Sequence, residues 1–213
     1  MAHESVTGFN TFSYMKQKNI SLLLLSLFCF SFNIQESFFE KLIAQAIAQT
    51  KKEVVYDATY FQLKYPGGDV PEGKGVCTDV VIRSYRGLGI DLQKEVHEDM
   101  QDHFSEYPNY WNLKKPDSNI DHRRVPNLMV FFKRHNAQLP VTNKAEDYKP
   151  GDLVCWNLQN KNNSSGVTHI GIVINKRTDD GKRYLIAHNI GWGNKIDDIL
   201  FEYTIIGHYR YEK

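Results

Sequence analysis

The stretch Pro150-Gly-Asp-Leu-Val-Cys-Trp-Asn-Leu158 marks the point where the sequence changes from helix-like to strand-like patterns. After it come short runs rich in β-branched and aromatic residues, which are typical of strands. Polar or glycine-containing segments separate these runs, so an antiparallel meander is the simplest arrangement. The predicted strands are Asp152–Leu158, Val167–Ile174, Arg183–His188 and Phe201–Arg210.

The sequence before Pro150 predicts helices. Ser37 is a suitable N-cap for an amphipathic helix over residues 37–53, whose apolar residues recur at positions i, i+3 and i+4. Three further helices are predicted from caps, an early proline and apolar patterning: Thr78–Tyr85, which Cys77 opens, Leu92–Phe104 after Asp91, and Val125–Arg134. Helices followed by strands indicate an α+β fold, with the N-terminal helices packed on a C-terminal antiparallel sheet.

The N-terminal residues have a different character. The basic patch Met15-Lys-Gln-Lys18 precedes the apolar stretch Ile20–Phe32, which is too short for a relaxed membrane span but suits a signal peptide. We therefore predict an N-terminal extension and signal peptide over residues 1–32 and a single domain over residues 33–213. The expected location is the periplasm or the exterior, without stable membrane insertion after cleavage; an uncleaved anchor is the alternative.

Charge gives no indication of a nucleic-acid partner. The formal net charge of the chain is +1, and its basic residues are scattered rather than gathered in a stripe. We expect no nucleic-acid binding, no cofactor and a monomeric protein.

Cys77 is the candidate nucleophile. It follows a glycine-rich turn and opens an apolar run, so it should lie at a helix N-terminus, where unpaired N–H groups and the helix dipole favour the thiolate. There are two alternatives to this interpretation of Cys77. Cys77 could be a small core residue, or it could form a disulfide with Cys155, the other cysteine left after signal removal.

His169 is the candidate base for a cysteine nucleophile. In its predicted strand it shares a face with Gly171, which would leave room for the Cys77 helix to approach. His188 and Asn189 end the next strand, and a hairpin would bring either of them beside His169 to orient its ring. A zinc site formed by Cys77, His169 and His188 is a further alternative, but no pair of these residues has a close metal-ligand spacing, so we expect no metal.

The order and spacing of these residues resemble those of a known group of enzymes. A tyrosine at position 65, Cys77 twelve residues later, Thr168-His-Ile-Gly-Ile-Val173 and Ala187-His188 are similar to the NlpC-type cell-wall cysteine peptidases and CHAP amidases of the papain-like clan. The segments Gly75–Arg83, Gly89–Gln93 and Asp121–Asn127 resemble more closely an exported bacterial family described only as a domain of unknown function.

The resemblance implies a papain-like, NlpC-type fold and a set of catalytic roles. Cys77 would be the nucleophile, His169 the base, His188 the orienting residue and Tyr65 a hydroxyl that helps to stabilise the oxyanion. One departure concerns the substrate, because the chain reads Val-Cys-Thr-Asp at 76–79 where those peptidases usually read Asp-Cys-Ser-Gly. The candidate substrate-contact residues are Asp79, Arg123, Trp156, Asn189 and Trp192.

The function that we predict is a secreted cysteine hydrolase that cleaves a peptide or amide bond through a thioester, with cell-wall peptidoglycan as its substrate. The alternative is a non-catalytic module of the same fold, which would bind cell-wall glycan or peptide through the aromatic residues around the cleft.

Overall fold

The computed structural model describes residues 36–213 and shows helices combined with an antiparallel sheet. The helices are α1 (Phe38–Gln49), α2 (Cys77–Arg86), α3 (Leu92–His103) and α4 (Val125–Arg134). The strands are β1 (Val55–Tyr56), β2 (Lys74–Gly75), β3 (Leu153–Asn157), β4 (Thr168–Arg177), β5 (Tyr184–Asn189), β6 (Asn194–Asp197) and β7 (Thr204–Tyr209). The predicted order of helices before the strands of the main sheet is confirmed, and helix α1 ends four residues earlier than expected.

The main sheet has five strands in the order β6-β5-β4-β3-β7. All neighbouring pairs are antiparallel, and strands β3 to β5 follow the predicted meander, which β6 extends. Strand β7 departs from the meander, because it pairs with the free edge of β3. Strand β6 was not predicted, since Asn194-Lys-Ile-Asp197 lacks the alternation of a half-buried strand.

The two faces of the sheet pack against different partners. Ile170 and Ile172 belong to the core shared with helices α1, α2 and α4, whereas Val173 and Trp156 pack with Tyr148 and Leu200 in a second apolar cluster. Cys77 lies in the first core together with Cys155.

Gly171 has a role other than the predicted one. A Cβ atom at this position would lie 2.5 Å from Cγ2 of Ile186 and 3.2 Å from Cβ of His188, both on strand β5. The glycine therefore allows a close approach of β5, and so of His188, to β4. The prediction that it makes room for the Cys77 helix is wrong, because that helix packs on the isoleucine face of the strand.

The predicted extension, signal peptide and cleavage region at 1–32 lie outside the described residues. In the part of the chain from residue 36 onward, no helix combines the length and the apolar character that crossing a membrane requires.

Candidate active site

Cys77 is the first residue of α2 and is almost completely buried, with 5% of its surface exposed. Its helix begins there because Asp79 accepts a hydrogen bond of 2.7 Å from the backbone N–H of Val76, which caps the first turn. Both Cys77 and Cys155 are free thiols. The structure therefore contradicts the alternative of a disulfide between Cys77 and Cys155.

The environment of Cys77 contains two opposing influences on the thiol. Burial raises the pKa of Cys77 to about 11, while hydrogen bonds from the backbone N–H groups of Ile170, Thr78 and Cys77 itself act to lower it. The effect of the helix N-terminus is thus present, but burial outweighs it. At neutral pH the resting residue is a thiol, and the expectation of a thiolate at rest is corrected.

A chain of hydrogen bonds runs from His169 through His188 to Asp197. Nε2 of His169 lies 2.9 Å from Nδ1 of His188, and Nε2 of His188 lies 3.2 Å from a carboxylate oxygen of Asp197. Both rings are buried. Burial lowers the pKa of His169 to about 3, and burial also lowers the pKa of His188 against the opposing effect of Asp197. Both imidazoles are therefore neutral at neutral pH.

The carboxylate at the end of this chain determines where the protons lie. Asp197 can only accept, so Nε2 of His188 carries the proton and its Nδ1 is an acceptor. That acceptor in turn requires a proton on Nε2 of His169, which leaves Nδ1 of His169 with a free lone pair. Asp197 thus sets the tautomers of two rings in series.

The start of strand β4 lies against Cys77. The N–H of Ile170 hydrogen-bonds to the cysteine sulfur, and Thr168 lines a cleft of about 190 Å³ together with Cys77. His169 lies between Thr168 and Ile170 in the sequence, and its ring packs on Trp156. Among the described residues no hydrogen bond joins the Cys77 sulfur to the His169 ring. In residues 36–213 no three His, Cys, Asp or Glu side chains are grouped as ligands of a metal ion.

Tyr65 does not line this cleft, which corrects its assignment as the oxyanion tyrosine. Its ring packs edge-on against His97 of α3, with centroids 5.1 Å apart. Tyr56 lines the cleft instead. Burial raises the pKa of Tyr56, and the charges of Cys77 and Asp79 add to this rise, so the phenol keeps its proton and can donate a hydrogen bond.

Asp79 and Arg123, two predicted substrate contacts, bind each other. Nε and Nη2 of Arg123 donate to the two carboxylate oxygens of Asp79, each at 3.1 Å. The remaining bonds of the guanidinium go to the backbone carbonyls of Thr59 and Asp57. Both side chains are buried, so the pair holds the N-terminus of the Cys77 helix, and Arg123 also lines the cleft that contains Cys77.

The other three predicted contacts lie away from the cleft lining. Trp156 is completely buried, donates to the carbonyl of Leu200, and packs against the His169 ring at 5.7 Å between centroids. Asn189 closes the turn between β5 and β6 by bonding Asn194 and Gly191. Trp192 sits on that turn and is 86% exposed. Of the pair His188 and Asn189, it is His188 that contacts His169.

Two residues of the site were not predicted. Asp197 lies on the polar strand β6, nine positions beyond His188, and carries no sequence signal except that a hairpin after Gly193 would place it near that histidine. Tyr56 reaches the cleft because β1 pairs in parallel with β2, which places Tyr56 opposite Gly75, two residues before Cys77.

Comparison with known proteins gives a family and two similar proteins. The family model described as "Domain of unknown function (DUF1287)" matches residues 43–211. The chain is 52% identical over 163 residues to "Uncharacterized protein YijF" of Escherichia coli (strain K12), covering 76% of this chain and 77% of the relative. The solved structure of NlpC1 from Trichomonas vaginalis matches 78% of this chain and 42% of its own, with 16% identity and a TM-score of 0.39.

Proposed function

The chain belongs to the DUF1287 family, and from the site that its residues form we propose that it is a cysteine hydrolase. The reaction is cleavage of a peptide or amide bond through a thioester on Cys77. The observation that supports this most is the hydrogen-bond chain Asp197–His188–His169, because it leaves an unprotonated Nδ1 on His169, the residue next to Ile170, whose N–H contacts the Cys77 sulfur.

His169 acts as the general base in this proposal. Because the resting thiol and the resting imidazole are both neutral, the proton moves when the substrate is attacked. The sulfur bonds to the carbonyl carbon while Nδ1 of His169 takes the thiol proton. The tetrahedral intermediate then collapses, the C–N bond breaks, and the imidazolium returns its proton to the leaving amine.

Water completes the cycle. It attacks the thioester carbonyl while His169 again takes a proton. The C–S bond then breaks, the imidazolium returns the proton to the sulfur, and the carboxylic acid leaves. Asp197 stabilises each imidazolium through His188, although Lys195 lies 2.9 Å from the same carboxylate and weakens that effect.

The oxyanion formed in each half-reaction needs donors. The backbone N–H of Cys77 at the start of α2 is one. The phenol of Tyr56 is the second, because it lines the same cleft and remains protonated. These donors act on the charge that develops on the carbonyl oxygen.

The substrate that we propose is a peptide or amide of the bacterial cell wall, reached by export through the predicted signal at 1–32. The choice of a cell-wall substrate follows from the predicted export of the protein, whereas the residues of the site support cleavage of a peptide or amide bond.

Incubation of the protein with purified sacculi, followed by mass spectrometry of the released fragments, tests the proposal. The wild type should release fragments whose masses differ from the intact wall by hydrolysis of one amide bond, and Cys77→Ala should release none while keeping its circular dichroism spectrum. Cys155→Ala is the matched control and should retain activity, since Cys155 is fully buried. Binding of sacculi by both wild type and Cys77→Ala without any release would favour the non-catalytic binding module.

A further inference from the structure

Arg123 and Arg124 are neighbours in sequence, but within the described residues only the Arg123 guanidinium has hydrogen-bond partners. Within residues 36–213 the Arg124 side chain forms no ion pair, and its Nη1 atom is buried without a hydrogen-bond acceptor. Burial lowers the pKa of Arg124, while the charges of Asp121 and Asp117 oppose that change from a distance. A buried donor on a cation is costly to leave unpaired, so this position suits an acceptor that comes from outside the chain.

The position of Arg124 relates this unpaired donor to the proposed active site. Arg124 lines the cleft that contains Cys77 and also a neighbouring cavity of about 270 Å³. Trp111 lines both spaces as well, and the guanidinium carbon lies 3.8 Å from the centroid of its ring. Stacking on an indole holds the plane of the guanidinium and leaves its N–H edges free for a planar partner.

Asn127 supplies a second unpaired atom on the same cavity. Its Nδ2 donates to the carbonyl of Asp121 at 3.0 Å, which fixes the orientation of the amide. Its Oδ1 is buried and has no donor within the described part of the chain. The rest of the cavity wall includes the apolar side chains of Met100, Phe104 and Leu113. An apolar pocket with a cationic donor and a neutral acceptor is a typical site for a small polar group.

We propose that this cavity, lined by Trp111, Arg124 and Asn127, is a subsite for a free carboxylate of the substrate. Arg124 donates to the carboxylate, and Oδ1 of Asn127 accepts from the amide N–H next to it. The inference rests on the proposed function, because it places this carboxylate beside the bond that Cys77 attacks. The substrate class is then a peptide that carries a free carboxylate adjacent to the cleaved bond.

Two probes that differ only in one group test the proposal. They are the γ-methylamide of acetyl-L-alanyl-D-glutamic acid and the γ-methylamide of acetyl-L-alanyl-D-isoglutamine, which carry a carboxylate and a carboxamide at the same α position and no other free carboxylate. Binding is measured by calorimetry to the Cys77→Ala protein, so that turnover plays no part. We expect the acid to bind about tenfold more tightly than the amide, a difference of roughly 1.4 kcal/mol.

Variants of Cys77→Ala assign the effect to one residue. Adding Arg124→Gln should abolish the preference for the acid and lower the melting temperature only slightly, because the guanidinium has no hydrogen-bond or ion-pair partner within the described residues and the variant loses only its stacking on Trp111. Arg177→Gln is the matched control, since that guanidinium also stacks on a ring, 4.1 Å from the centroid of Tyr184, but lies outside the cleft; it should keep the preference.

Equal binding of the two probes, absence of binding by both, or a preference that survives Arg124→Gln would each overturn the subsite. These outcomes are separate from the test of hydrolysis. A wild type that releases nothing from sacculi, while Cys77→Ala still prefers the acid through Arg124, would reject the hydrolase and retain the carboxylate subsite.

Discussion

Nε2 of His169 and Nδ1 of His188 are 2.9 Å apart, on adjacent antiparallel strands. Two neutral imidazoles can share this bond only if one ring donates and the other accepts, and Asp197 decides which ring does so. The carboxylate of Asp197 therefore controls the tautomer of His169, the proposed base, through the His188 ring.

Replacing Asp197 should lower activity without unfolding the protein. In Asp197→Ala both rings become free to exchange tautomers, so Nδ1 of His169 is unprotonated in only part of the population. We expect kcat to fall by about tenfold or more, equivalent to roughly 1.4 kcal/mol of transition-state stabilisation, with KM little changed. Nitrogen-15 NMR of the histidine rings should show the altered tautomers.

Asp198→Ala is the control for that substitution. Asp198 is the next residue and pairs with Arg183 at the surface. The Asp198→Ala substitution should leave kcat and the tautomers of the His169 and His188 rings unchanged. A fall in kcat of the same size in both variants would mean that Asp197 acts only by stabilising the strand.

The alkylation rate of Cys77 should depend steeply on pH. Burial raises the pKa of Cys77 to about 11, so the thiolate fraction, and with it the rate with iodoacetamide, should rise about tenfold per pH unit between roughly pH 7 and 9.5. Mass spectrometry of the modified peptide measures the rate.

Cys155→Ala should give the same pH profile, because Cys155 is fully buried and burial raises its pKa well above its ordinary value. A rate that is already constant at neutral pH would show instead that Cys77 and His169 form an ion pair at rest.

Tyr56 and Tyr65 should respond differently to loss of the hydroxyl. Tyr56→Phe removes a proposed oxyanion donor and should lower kcat by about a hundredfold. Tyr65→Phe should have little effect, since that ring packs on His97. Kinetics on a peptide released from sacculi measures both variants, and a reversed order of effects would reinstate Tyr65 as the donor.

Breaking the buried pair of Asp79 and Arg123 should reduce stability rather than substrate affinity. Arg123→Gln leaves a buried carboxylate without its ion pair, and we expect a loss of about 3–5 kcal/mol in the free energy of unfolding. Urea unfolding followed by circular dichroism measures this loss.

Arg183→Gln breaks a partly exposed ion pair with Asp198 and serves as the comparison. Its cost should be about 0–1 kcal/mol. Equal stability of Arg123→Gln and wild type, combined with a large rise in KM, would return Arg123 to the role of a substrate contact.

Features set by near neighbours in the chain could be predicted from sequence. Ser37 and Asp91 cap helices where expected, and Pro126 lies in the first turn of α4. The histidine-containing strands also follow the predicted pattern. Each of these depends on residues a few positions apart, whose periodicity and capping chemistry are visible in one segment.

The members of the site depended on the tertiary structure, because they are selected by contacts between distant segments. Asp197 joins the site through the register of β5 and β6, and Tyr56 replaces Tyr65 because β1 pairs with β2. Burial, which changes the pKa of Cys77 more than the helix N-terminus does, arises only when the sheet packs on α2. The sequence by itself thus determined the four helices, four of the strands and the candidate nucleophile and base, while register and burial decided which side chains surround them and in what charge state.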